Sequence, residues 1–364
     1  MFSRLIFMGI LAVLILLVFF NLRKFYTIKK IAREKKWLTN VLALILSAAI
    51  FVIGYFTNMV YVVVIVLNFL IVIWILDFIG WILGKITNIH PKIYVAGIIA
   101  IIFTACYLTY GYFNDLNIVR TDYSIKTSKT IPDKKFRIAQ IADAHVGTTF
   151  NGKELGKYVD EISKTNPDIF VITGDLIDDD TTKQDMIDTC KSLGRAKTKY
   201  GIYYVQGNHD EAYFADRGYE MKDFEKELKD NGVTYLKDEV KLIDDSVYLV
   251  GRLDRRHRDD RKETTKLMKG LDKKKYTIVL DHQPYDFNEQ SNTNPDLVLC
   301  GHTHGGQLIP IGYLGELYGS YEKAYGIKKV NNTVFEVSSG ISGWGVPYKT
   351  GAVSEYVIID VNGR

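Results

Sequence analysis

Four apolar stretches in the first third of the chain fix what it can fold into, since each is too long and too apolar to lie in water. Residues 5–20 form an uninterrupted apolar run of 16 residues. Residues 37–56, 60–83 and 93–112 are longer and nearly free of charge, and a helix needs about 20 apolar residues to cross a bilayer. The sequence therefore predicts a region of four membrane-spanning helices within residues 1–112. An apolar run at the amino terminus can also be a cleaved leader. Here no small-residue cleavage pattern follows Phe20, only Asn21-Leu22-Arg23-Lys24, which favours an uncleaved span.

Loop charge gives an orientation, because cytoplasmic loops carry the excess of lysine and arginine. The first connection holds Arg23, Lys24, Lys29, Lys30, Arg33, Lys35 and Lys36 and is expected inside. Thr57-Asn58-Met59 then turns outside, and Lys85 with Lys92 brings the third loop back in. Everything after residue 112 is then extracytoplasmic, and with only Arg4 ahead of the first run the amino terminus is external too. Residues 1–112 contain 10 Lys and Arg against 2 Asp and Glu, and the remainder 36 against 40. The net charge of +4 thus resides in loops that suit anionic headgroups. An acidic remainder argues against a nucleic-acid partner.

Asn68 and Asp77 interrupt the third run, and an intramembrane acid is by default a hint of function. Asp77 also lies two turns from Lys85, so it can sit near headgroups or face a neighbouring helix. Without repeated halves or a set of intramembrane charges, a transporter has little support. Cys106, Cys190 and Cys300 are isolated and read as small apolar fillers rather than a disulfide framework.

Beyond the spans, residues 113–135 are polar without a clear period and read as a linker ending in an edge segment. From residue 136 strands and helices alternate. Strands are expected at 136–141, 169–173, 201–206, 246–251, 277–281, 297–300, 333–338 and 353–361, and helices at 152–165, 182–193 and 221–231. The run at 169–173 is apolar throughout, as in a strand covered on both faces. So many strands in the remaining length call for an α/β domain in which two sheets pack face to face with helices outside, over residues 136–364.

Chemistry-bearing residues cluster just past these strands. They are Asp143 and His145, then Asp175 and Asp178 in GDLID, then Asn208, His209 and Asp210 in GNHD, then His282, then His302 and His304 in GHTHGG. Asp143 to Asp175 is 32 residues and Asp175 to Asn208 is 33, each about one strand-helix-strand unit. Open α/β sheets place their sites at such carboxyl ends. Five of the seven histidines fall in these fragments, leaving His90 and His257. Carboxylates and imidazoles together suit divalent transition metals.

Taken in order, the fragments D-x-H, G-D-x-x-D, G-N-H-D, a lone H and G-H-x-H resemble the calcineurin-like metallophosphoesterase superfamily. GHTHGGQ and the later SSGISGWGVPYKTG are similar to its membrane-associated bacterial branch of YaeI- and YkuE-like phosphoesterases. The resemblance covers about residues 136–360 and implies a four-layer αββα sandwich with two divalent ions, Mn, Fe or Zn. One ion would be held by Asp143, His145, Asp175 and His304, the other by Asp175, Asn208, His282 and His302, with Asp175 bridging. It further implies a hydroxide between the ions as nucleophile, and His209 free of metal to stabilise or protonate the leaving oxygen. Asp210 is expected to orient the His209 ring and Asp178 to support the ligands. The chain departs from the branch after GGQ, with Leu308-Ile309 in place of an arginine, and near its end, with Val353-Ser354-Glu355 in place of P-P-E.

The expected activity is phosphodiester or pyrophosphate hydrolysis on lipid or cell-envelope intermediates, outside a cytoplasmic membrane. The alternatives are a cytoplasm-facing hydrolase of a nucleotide-linked lipid, and a metal-binding sensor without turnover. Residues 252–262, RLDRRHRDDRK, either offer Arg255, Arg256 or Arg258 to a second phosphate or form a solvated charged loop. Trp344, Tyr348 and Lys349 either flank the pocket or belong to a surface turn. Metal identity and oligomeric state are not encoded in any of these patterns.

Overall fold

The amino-terminal apolar runs become helices whose lengths are set by their breakers. In the computed structural model, which describes residues 2–88, 93–213, 216–257 and 259–363, α1 is Phe2–Leu22, α2 Tyr26–Ile31, α3 Lys36–Phe56, α4 Met59–Thr87 and α5 Val95–Leu116. The side chains of residues 2–7 lie outside the description, as do His90, Lys92 and Arg258. α4 starts where the Asn58 side chain accepts from the Val60 and Tyr61 amides and ends at Asn88, which turns left-handed at φ 55°. Among the described residues, three helices, α3, α4 and α5, are long and apolar enough to cross a membrane. The first run, expected as a fourth span, is shorter over its described part, Met8–Leu22.

The contacts divide the chain into two compact units, Met1–Tyr110 and Gly111–Arg364, so that the boundary falls within α5. In the first unit Leu14, Val18, Phe51, Val66 and Leu70 form the shared core of α1, α3 and α4. Small residues Ala43, Ser47 and Gly54 are buried on α3, which lets helix backbones approach closely. Polar side chains return to their own helix, as in Ser47 Oγ to Ala43 O (2.7 Å) and Asn68 Nδ2 to Val64 O (2.8 Å). Asp77 does not pair with Lys85, which sits over the Trp81 ring. It accepts instead from Lys24 Nζ at 2.6 Å and from the Tyr94 hydroxyl at 2.7 Å.

After the end of α5 the second unit has a full edge strand where a linker ending in an edge segment is expected. β1, Ile118–Thr127, pairs in parallel along its whole length with β12, Ser354–Gly363. Arg120, Asp122, Ser124 and Lys126 alternate on an exposed face. An edge strand with one solvated side has too little apolar signal to stand out in sequence. The sheet continues through β2 (Lys135–Ile141), β3 (Ile169–Thr173), β4 (Ile202–Val205) and β5 (Val233–Tyr235), in the order β1-β12-β2-β3-β4-β5. β2 to β5 run parallel, and β12 lies antiparallel to β2.

A second six-stranded sheet has the order β10-β11-β9-β8-β7-β6. Its strands are β6 (Glu239–Ile243), β7 (Val247–Gly251), β8 (Tyr276–Leu280), β9 (Leu297–Cys300), β10 (Gly326–Val330) and β11 (Thr333–Val337). The sheets pack face to face through Ile138, Val171, Val205, Leu249, Ile278 and Leu299. The other face of the first sheet is covered by α6 (Gly152–Lys164), α7 (Lys183–Leu193) and α8 (Met221–Asp230), through residues such as Phe170, Leu155, Met186 and Phe224. The other face of the second carries Leu267 of α9 (Thr264–Met268) and Phe287 of α10 (Phe287–Asn292). A last helix, α11 (Ile311–Leu317), follows the histidine pair and has no buried residue. The result is the helix-sheet-sheet-helix sandwich expected from the strand count.

Candidate metal centre

Parallel strands in both sheets end on the same cluster. β2 leads to Asp143 and His145, β3 to Asp175, β4 to Asn208 and His209, β8 to His282, and β9 to His302 and His304. The chain must turn sharply at each exit. Asp143, His145, Asp175, His302 and His304 all have positive φ, between 36° and 76°. Such backbone costs on the order of 1 kcal/mol or more per residue and persists where surrounding contacts over-determine it. Neighbouring glycines make room: a Cβ at Gly174 would overlap the His282 ring, at Gly207 the Asp175 carboxylate, and at Gly301 the Asp143 carboxylate.

The ring nitrogens show what the cluster can hold. His145 and His304 face each other, Nε2 to Nε2, at 3.1 Å. Their other nitrogens are committed, His145 Nδ1 to Asp178 Oδ2 at 2.7 Å and His304 Nδ1 donating to the Ser342 carbonyl at 2.9 Å. Likewise His282 Nδ1 donates to the Thr173 carbonyl at 2.8 Å. Its Nε2 then meets Asp175 Oδ2 at 3.1 Å and Asn208 Oδ1 at 3.2 Å. With those tautomers, lone pairs point at one another, an arrangement that a metal cation between them would satisfy; without one, and against their burial, the carboxylates of Asp175 and Asp178 draw His145 and His282 towards the protonated form. Three groups of donors lie close enough to hold an ion: Asp143 with His145 and His304, Asp175 with His282 and His302, and His145 with Asp178 and His209. In the third, both imidazoles already meet the Asp178 carboxylate through Nδ1, which leaves the first two as donor sets. Asp175 Oδ2 lies 3.6 Å from His145 Nε2 as well as 3.1 Å from His282 Nε2, so one oxygen faces a nitrogen of each set.

Electrostatics follow from burial. Burial chiefly lifts the Asp143 carboxyl to about 6, with the charge of Asp175 adding to it. For Asp175 burial works the same way, but His282, His145 and His209 outweigh it and hold the carboxyl well below the usual range. Burial and the neighbouring His282 push His302 down to about 3, and burial with His145 depresses His304. Both stay neutral, the form in which imidazole ligates a metal. His302 Nδ1 is buried with no hydrogen-bond partner, an orphaned acceptor of the kind that a metal ion would satisfy.

All seven residues expected as ligands come together, and His209 joins them. Its Nδ1 lies 3.1 Å from Asp178 Oδ1, so that carboxylate serves His145 with one oxygen and His209 with the other. Asp210 does not orient His209. It is fully buried and accepts from the amides of Asp175 (3.0 Å), Leu176 (2.8 Å), Ile177 (3.1 Å) and Gly207 (2.7 Å), tying two site loops together. The turn sends the two side chains of His209 and Asp210 to different partners.

Among the described residues, the arginines of the arginine-rich segment are engaged within the domain. Arg252 and Arg261 both pair with buried Asp281, at 2.7 and 2.6 Å. Arg256 donates to the carbonyls of Asn208 (2.9 Å) and Glu211 (2.7 Å) and lies over the Tyr213 ring, and Arg255 lies over Tyr285. Trp344 and Tyr213 flank the His209 ring at centroid distances of 5.3 and 5.1 Å. Tyr348 packs near Tyr112 instead.

Several supports escaped the sequence. The Ser342 carbonyl could have been suspected from the SSGISGWG fragment, but the Thr173 carbonyl and Tyr213 carry no signal. Gln283, directly after His282, is held by both oxygens of Asp254 at 3.0 and 2.9 Å beside Asn208. Lys349, expected to flank the pocket or to lie in a surface turn, is instead fully buried and donates to the carbonyls of Ser339 (2.6 Å) and Gly340 (2.9 Å), with burial pulling its ammonium down to about 8. Gly340 in turn abuts Asp143. Lys349→Ala strands those carbonyls and is expected to cost about 2–4 kcal/mol, read as a lower thermal midpoint of the purified chain.

The profile of the family described as calcineurin-like phosphoesterases matches residues 136–306, which include every residue of the two donor sets. A Helicobacter pylori protein described as an uncharacterized metallophosphoesterase is 31% identical over 228 residues, 61% of this chain and 59% of that protein. The chain thus spans under two thirds of that relative's length. A zebrafish transmembrane protein with metallophosphoesterase domain is 28% identical over 315 residues, 81% of this chain and 70% of the relative. The uncharacterized metallophosphoesterase YkuE of Bacillus subtilis is 27% identical over 259 residues, 68% and 88% of the two chains. The sandwich topology, the convergent donor sets and these similarities together identify a chain that carries a calcineurin-like metallophosphoesterase domain and, ahead of it, helices suited to a membrane.

Proposed function

We propose that the protein is a membrane-anchored phosphoesterase that uses two divalent ions. In this reading Asp143, His145, Asp175 and His304 hold one ion, and Asp175, Asn208, His282 and His302 the other. The observation that carries it is the Asp175 oxygen facing one imidazole nitrogen from each donor set, as a bridging ligand would. When bound, such a pair of ions supplies Lewis acidity and brings water close to ionisation at neutral pH.

The chain's own groups do the rest. Asp178 fixes the His145 ring with one oxygen and the His209 ring with the other. The His209 side chain is 17% exposed, against 0% for His145 and His282 and 7% for His304. His302 is partly exposed as well but belongs to the second donor set, so His209 is the imidazole left free to meet a substrate and to hand a proton to the departing oxygen, with Trp344 and Tyr213 limiting its swing. Purified protein with Mn²⁺ should hydrolyse a soluble aryl phosphodiester and stop on chelation with EDTA. His209→Ala is expected to lower kcat by about 10²-fold while metal content by elemental analysis stays as in the parent. Loss of metal in that variant, or undiminished turnover, would remove the role.

The substrate in this reading is a phosphodiester or pyrophosphate of lipid or cell-envelope chemistry, and the domain lies outside the cytoplasmic membrane. The lysines and arginines between α1 and α3 support that sidedness. Protease treatment of intact cells tests it: cleavage of the domain is the expected result, and protection would place it inside.

A further inference from the structure

α11 is amphipathic the wrong way round for a helix in water. Its small residues face the domain: a Cβ at Gly306 would overlap Gly312, and one at Gly315 would overlap the Tyr321 ring, whose hydroxyl lies 3.3 Å from the carbonyls of Ile311 and Gly312. Its large apolar residues face outward. Tyr313 is 75% exposed, Leu317 74% and Tyr318 78%, and Ile309, Ile311 and Leu314 are exposed beside them. The helix has one charged residue, Glu316, and its carboxylate turns back to the Ala324 amide at 2.7 Å and to Lys323 at 3.4 Å. A contiguous patch of this kind, with no free charge, marks a contact with an apolar phase or partner.

Two further facts select the bilayer as the occupant. The same chain carries three helices long and apolar enough to span one. Tyrosine alternating with aliphatic residues is also the composition that settles at the headgroup level. The patch is also bound tightly to the site, since Gly306, packed on Gly312, is two residues from His304. We infer that residues 309–318 dip into the membrane surface and seat the metal centre there, so that its substrates are phosphoesters of lipids whose headgroups lie in that surface. This rests on the proposed phosphoesterase reading for its chemistry but not for its docking.

The test is a dye at the patch in the full chain. With Cys106→Ser as background, since Cys190 and Cys300 are buried, Leu317→Cys is labelled with an environment-sensitive fluorophore. The protein is reconstituted in vesicles of phosphatidylglycerol and phosphatidylcholine with plain or brominated acyl chains. Loss of most of the emission in brominated vesicles is expected, with no change for a label at Lys229→Cys on α8. Tyr313→Cys serves as a second position should the first variant fold poorly. Emission indifferent to bromine at both positions overturns the inference, whether the dye is reached by aqueous iodide or shielded by a second copy. Quenching requires no turnover, so hydrolysis with an unquenched label removes this inference alone, and a quenched label without hydrolysis removes the phosphoesterase reading and the substrate drawn from it while the docking stands.

Discussion

Asp175→Asn is expected to lower turnover of an aryl phosphodiester by at least about 10³-fold, a loss of about 4 kcal/mol of barrier stabilisation. The substitution keeps the shape of the side chain and an oxygen that can accept from the His209 amide, which now donates to Asp175 Oδ1 at 2.7 Å. What it removes is the negative charge between the two donor sets. Metal content should fall with activity, while the thermal midpoint of metal-free protein stays near that of metal-free parent. A variant that loads two ions and turns over normally would show that the bridge is not made at this residue.

Asp210→Ala should act on folding instead of on chemistry. Four buried amides lose their acceptor at once, and leaving such donors unpaired costs about 1–3 kcal/mol each before relaxation. A net loss of about 3–5 kcal/mol is expected, or roughly 6–20 °C in thermal midpoint for a unit of this size. His209→Ala, one residue away, should leave the midpoint nearly unchanged. Equal midpoints for the two variants, with both inactive, would restore Asp210 to a role at the His209 ring.

That contrast shows what can and cannot be read from the chain in advance. The residues of the candidate site are legible because each sits just past a strand, and strand spacing is written in apolar runs such as residues 169–173. The two-sheet sandwich is legible for the same reason. Asp210 follows His209 directly, but adjacency in sequence is not adjacency in space, and its carboxylate meets the amides of two site loops instead. In the arginine-rich segment the partners of Arg252 and Arg261 lie 20 to 29 residues away on Asp281, and a local pattern carries no trace of such pairings. β1 was hidden by a half-polar edge. α11 was hidden because its glycines and apolar residues lack a helical period, and only the structure shows which of them face water.

Asp178 places one carboxylate between a ring of the first donor set and the ring open to substrate. A single anion there sets the tilt of both imidazoles, so on the proposed function the occupancy of the cation pocket and the delivery of protons would not be independent properties of the molecule. A lineage that traded this residue for a neutral one would then inherit a defect in both at once, and restoring either through a change elsewhere would leave the other to be repaired separately.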